Sequence, residues 1–165
     1  MNWTIKTLTG YNERRLALPD HLSRTVASLE ILLATTLALL FLGNKSLWLD
    51  ETYSITIARD WPNIWPVMLR YEASMWFYYT LLHFWLKIGE SEFIVRSLSV
   101  VFAVATIPVV YALGTRLFGS RVGMLAGLLL PLNAFFIRYA QEARSYSLLV
   151  FLATLSSYFF VRGVE

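Results

Sequence analysis

The 165-residue chain contains no cysteine. That excludes disulfides and any thiolate-held metal, and it leaves the redox compartment unreadable. Charge is scarce as well: 15% of the residues are Asp, Glu, Lys or Arg, where a soluble domain carries about a quarter. With a mean hydropathy of +0.55, this composition excludes a soluble globular domain. No Gly-rich loop is placed to cradle nucleotide phosphates, and no His-Glu-x-x-His zinc motif occurs. The two histidines, His21 in the N-terminal lead and His83 in an aromatic stretch, do not support a Ser-His-Asp assembly, and His83 reads as a packing residue. A net charge of +3 is too small for a nucleic-acid surface, so no nucleic-acid partner is expected.

What is abundant is apolar. Hydrophobic residues make up 57% of the chain and aromatics 16%, the composition of a multi-pass protein with Trp and Tyr at its interfaces. The expected fold is all-α, a polytopic transmembrane bundle with spans near 26–43, 97–115, 121–137 and 146–162. Pro131 is placed to kink the third span. Glu30 falls near the inner boundary of the first. Gly123 and Gly127 form a small-xxx-small packing face. Two amphipathic juxtamembrane helices are expected on the outer surface, near 51–60 and 74–88, the first capped by Asp50 with Tyr53, Ile57 and Trp61 on one face.

Residues 1–24 form a basic lead with Lys6, Arg14, Arg15 and Arg24. The turn from Arg116 to Arg121 is basic and lacks acids. The positive-inside rule places both in the cytoplasm, in an inner or plasma membrane. The stretch Met75–Ile88, about 14 residues, is too short to cross, so both of its ends are expected outside. The residues before it and the loop after the third span then share one extracytoplasmic face, and both termini are cytoplasmic.

That geometry brings two polar motifs together. Asp50-Glu51 stands in Ser46-Leu-Trp-Leu-Asp-Glu-Thr-Tyr-Ser54, and Arg138-Tyr-Ala-Gln-Glu142-Ala-Arg144 follows the third span. A carboxylate at a membrane face, Asp50 or its neighbour Glu51, can serve as a general base. Arg138 and Arg144 can hold phosphate, because a guanidinium presents paired donors. Glu142 and Glu72 are further acidic candidates. Tyr78 and Tyr79 belong to an aromatic cluster with Trp61, Trp65, Tyr71, Trp76, Phe77, Phe84 and Trp85, readable as an interfacial belt or as a platform for a sugar or a lipid chain. No metal ligand set stands out and no cofactor is expected, although the sequence leaves a divalent metal open.

The order of these motifs resembles a known family. Leu47-Trp-Leu-Asp-Glu-Thr52, Tyr78-Tyr-Thr-Leu-Leu-His-Phe-Trp-Leu86, Ser91-Glu-Phe-Ile-Val-Arg-Ser97 with Arg116-Leu-Phe-Gly119, and Arg138 to Tyr146 are similar to successive elements of C-superfamily membrane glycosyltransferases. The nearest group is the bacterial dolichyl-phosphate-mannose mannosyltransferase-like family, which includes the lipid A aminoarabinose transferase. The resemblance covers residues 25–162 and implies a cell-envelope enzyme. Such an enzyme moves a sugar, with inversion, from a polyprenyl-phosphate donor to a lipid, glycan or protein acceptor. It implies Asp50 as the catalytic base, Glu51 as its neighbour, and Glu142 and Arg144 in support. Family members run much longer, so the resemblance places this chain as their N-terminal, acid-bearing part. A C-terminal half or partner subunit is expected with it, and without that part the chain would be inactive. The alternative is a non-catalytic membrane subunit that binds a polyprenyl lipid, or a partner through the Gly123/Gly127 face. A transporter is disfavoured because the spans hold few polar residues.

Overall fold

The computed structural model describes residues 19–63, 65, 66, 70 and 75–164. Lys6, Arg14, Arg15, Tyr71 and Glu72 lie outside the described residues. Those described form seven α-helices and no strand: α1 (Asp20–Leu39), α2 (Leu49–Arg59), α3 (Trp76–Trp85), α4 (Glu92–Phe118), α5 (Ser120–Leu132), α6 (Ala134–Ala140) and α7 (Tyr146–Val164). A 3-10 turn at Trp61–Asn63 follows α2.

Three helices, α1, α4 and α7, are long and apolar enough to cross a membrane, and α5 with α6 makes a fourth crossing if the bent pair is one span. The bend is 64°. Its cause is not Pro131, which stays inside α5, but Asn133. There the backbone turns extended, and the Asn133 side chain accepts from the amides of Phe135 (2.9 Å) and Phe136 (3.2 Å) to start α6 anew.

Helix α4 is the axis of the bundle, packed mainly on α5 and α7 and less on α1. It extends beyond the expected 97–115 at both ends, and the early start has a cause in its capped polar first turn: the Ser91 hydroxyl accepts from the Ile94 amide at 3.3 Å. Arg96 and Arg116 sit near its two ends. Their twenty-residue separation corresponds to about 30 Å of helix, the thickness of a hydrocarbon core.

Glycine lets α5 lie close to its neighbours. A Cβ on Gly123 would strike Thr115 and the Tyr111 carbonyl of α4, and one on Gly127 would strike the Glu30 carboxyl of α1. The Gly123/Gly127 face is therefore filled by this chain's own helices and is not open to a partner. Glu30 stands in the middle of α1, 2% exposed, rather than at its inner boundary as the sequence had implied. Neither of its carboxyl oxygens has a hydrogen-bond partner among the described residues.

The juxtamembrane layer is built from α2 and α3. At ten residues, α3 reaches only about 15 Å, half of a bilayer core. Its inner face, with Tyr78, Tyr79 and Leu82, joins Ile55, Ile57 and Ala58 of α2 in one apolar cluster. Trp76, Phe77 and Phe84 stay exposed. Tyr53 is exposed too, so the buried stripe of α2 runs through Ser54, Ile55, Ile57 and Ala58 and not through Tyr53.

Candidate functional site

The two polar motifs meet where α1 ends, α2 begins and the loop after α6 returns to α7. The centre is Glu51, 1% exposed. It is the third residue of α2, and its Oε2 accepts from the amide of Trp48, the residue before the helix, at 3.0 Å. Trp48 therefore occupies the cap position expected of Asp50, and the reciprocal bond comes from Glu51 reaching back over the first turn. Glu51 Oε1 accepts from the Ala143 amide at 2.9 Å, which joins the first loop directly to the second.

The partner of Glu51 is Arg96, 3% exposed, near the N-terminal end of α4. Its Nε donates to Oε1 at 2.9 Å and its Nη2 to Oε2 at 2.7 Å, a two-pronged ion pair. The remaining donors go to the carbonyls of Leu42 (2.9 Å), Lys45 (2.8 Å) and Ser46 (3.1 Å). All five N–H groups of the guanidinium are used, and the chain leaving α1 is wrapped around it. Burial pushes the Glu51 carboxyl up. The hydrogen bonds from Arg96, Ala143 and Trp48, together with the Arg96 charge, outweigh that and hold it below the usual carboxylate value. Four donors and one counter-charge leave Glu51 no lone pair with which to take a proton.

Asp50 is the opposite case. It is the second residue of α2, its side chain is exposed, and it makes no side-chain hydrogen bond or ion pair among the described residues. It lines a cleft of about 260 Å³ with Trp48, Arg138, Tyr139, Glu142 and Arg144. A second cleft, also about 260 Å³, shares Trp48, Arg138 and Glu142 with the first and has Lys45 and Gln141 on its walls. Arg138 and Glu142 form an exposed ion pair at 3.5 Å and border both clefts. The Arg144 Nε is buried and has no partner among the described residues.

The second loop is held from three sides. The Gln141 amide donates to carbonyls at the end of α1, those of Leu37 (3.3 Å) and Ala38 (3.1 Å), and to that of Leu40 (2.8 Å) just past it. A helix end leaves such carbonyls without partners, and here a side chain from the far loop satisfies them. Ala143 is tied to Glu51. The Arg144 carbonyl accepts from Ser99 Oγ of α4 at 3.2 Å.

Tyr78 and Tyr79 are 1% and 0% exposed, so they are not surfaces on which a sugar could stack. His83 packs its ring on Trp61 at 4.5 Å and places Nδ1 2.8 Å from the Ala58 carbonyl. Among the described residues, no three of His, Asp and Glu are grouped as a metal site requires. Arg96 and Gln141 lie within motifs read from the sequence but were given no role there, and Ser99 was passed over. The signal available for Arg96 was an arginine inside an otherwise apolar helix, which needs a partner.

Residues 72–165 match the family model described as dolichyl-phosphate-mannose-protein mannosyltransferase. The match spans the loop of Glu142 and Arg144 and begins after the acid pair. No curated protein and no solved structure matches the chain.

Proposed function

From the premise that this chain belongs to the dolichyl-phosphate-mannose-protein mannosyltransferase family, a family of membrane glycosyltransferases, we propose that it forms the acid-bearing part of an enzyme acting on the extracytoplasmic face of the membrane. The enzyme transfers a sugar from a polyprenyl-phosphate donor to an acceptor hydroxyl, with inversion. The basic turn Arg116–Arg121 lies at the far end of α4 from the clefts and supports cytoplasmic placement of that end, and with it of both termini.

In this mechanism the Asp50 carboxylate takes the proton of the acceptor hydroxyl. The acceptor oxygen attacks the anomeric carbon from the face opposite the phosphate. The bond from that carbon to the phosphate oxygen breaks, and the polyprenyl phosphate leaves with the electron pair. One displacement inverts the centre. Arg144, with its unpartnered Nε, and Arg138 lie within the same cleft as Asp50 and neutralise the charge that grows on the phosphate. Glu51 holds Asp50 in place through α2 and does not itself carry the proton.

The observation that carries this reading is the division between adjacent acids: Glu51 is saturated, while Asp50 is free at the edge of a cleft with two arginines. The test is a transfer assay of the complete enzyme in membranes with polyprenyl-phosphate sugars. Asp50→Asn is expected to lose about 100-fold or more of the rate, the scale of a lost general base, with membrane insertion unchanged. A full rate in that variant would remove Asp50 from the chemistry.

A further inference from the structure

Of the three ties on the second loop, two act on its first half, at Gln141 and Ala143. The Ser99 bond is the one of the three that reaches the main chain of Arg144 itself, whose amide also donates within the loop to the Glu142 carbonyl at 2.8 Å. Ser99 is fully buried in α4, and behind it stands the Tyr78 hydroxyl of α3 at 3.1 Å. The direction of these bonds follows from proton count. Ser99 has one hydroxyl proton, and the Arg144 carbonyl, which can only accept, takes it. Tyr78 must therefore donate to Ser99. Burial pushes the Tyr78 phenol above its ordinary value, which keeps that donor in place.

We infer that Tyr78 and Ser99 are positioning residues for Arg144: a buried file of hydrogen bonds from the aromatic helix through α4 fixes the backbone from which the Arg144 guanidinium enters the cleft beside Asp50. The inference deepens the reading above and rests on it for the identity of the ligand, a lipid-borne phosphate. It gives Tyr78 a different task from a stacking platform. The phenol touches no substrate; it is two hydrogen bonds away from a residue that does. It also ties helix α3, whose Trp76, Phe77 and Phe84 are exposed, to the position of a charged group in the site.

The probe is farnesyl phosphate, titrated against tryptophan fluorescence of the full chain in phosphatidylcholine vesicles. Tyr78→Phe keeps the ring and deletes the donor. Ser99→Ala leaves both the Arg144 carbonyl and the Tyr78 hydroxyl buried without a partner. Each variant is expected to bind the probe about tenfold more weakly, the scale of one buried hydrogen bond, while Ser99→Thr, which restores the hydroxyl, binds within about twofold of wild type. Amide hydrogen exchange across residues 142–146 should quicken in Tyr78→Phe and Ser99→Ala, with the amides of α3 still protected. In a transfer assay the Michaelis constant for the donor should rise and kcat should fall with it, because Arg144 meets both the bound phosphate and the charge that grows on it as it leaves. Wild-type binding together with wild-type exchange in Tyr78→Phe would overturn the assignment. If wild type itself does not bind farnesyl phosphate, the donor reading fails by itself and loop exchange decides alone: a local increase upholds the positioning role, and no change ends it.

Discussion

Arg96 grips Glu51 with two prongs, 2.9 and 2.7 Å, across a sequence separation of 45 residues, and neither residue is more than 3% exposed. Around that pair the end of α1, the start of α2, the start of α4 and the second loop converge. The pair organises the site without supplying its chemistry.

Breaking the pair should therefore damage folding before it damages catalysis. Arg96→Met leaves a buried carboxylate whose counter-charge is gone, and about 3–5 kcal/mol of stability is expected to be lost. Arg96→Met combined with Glu51→Met should recover much of that loss. Thermal unfolding in detergent, followed by circular dichroism, reads both. A single variant as stable as wild type would contradict the role described for Arg96. Glu51→Gln should lower stability and activity together, whereas Asp50→Asn should lower activity alone.

The same pair fixes a direction of pH dependence. The Glu51 carboxyl is held below its ordinary value of 4.5 in the folded chain. A depressed carboxyl contributes stability that is present above the unfolded value and is lost as pH falls through the folded one. Unfolding temperature is expected to be level down to about pH 4.5 on this account and to drop below it, and the drop should be smaller in Glu51→Gln. Equal slopes for the two proteins in acid would count against the linkage.

A third expectation concerns the joint between α1 and α5. A side chain on Gly127 would occupy the space now taken by the Glu30 carboxyl. Gly127→Leu should cost on the order of 1–3 kcal/mol by overpacking, and trimming the opposing residue with Glu30→Ala in the same chain should return part of it. Cross-linking yield between cysteines introduced into α1 and α5 would report the separation. A Gly127→Leu chain with unchanged stability and yield would mean that the two helices are not keyed there.

The helical, multi-span character could be read from residues 26–43, 97–115, 121–137 and 146–162, because long apolar runs with few charges have few other stable forms. The ends of those runs were harder. Hydropathy ends the second run short of Arg96, because it counts a charge without seeing that Glu51 neutralises it from a distant loop. Pro131 was the visible helix breaker, but the chain turns at Asn133, where a local hydrogen bond offers a new helix start. Aromatic residues cover both sides of α3, so its sequence has no polar face to show which tyrosines point inward. Glu30 was read by its place in a run, and only the packing of α5 shows what surrounds it. Within the acid pair, the sequence supplies two similar carboxylates side by side. The three-dimensional contacts separate them, one toward α4 and the second loop, the other toward solvent.

The spacing of Arg96 and Arg116 on a single unbroken helix makes the lipid a participant. One arginine is locked to Glu51, so α4 cannot slide to suit a thicker or thinner leaflet without pulling on the socket beside Asp50. Turnover in vesicles of graded acyl-chain length should then pass through a maximum. A flat profile would show that the helix tilts freely and that mechanical load never reaches the acids.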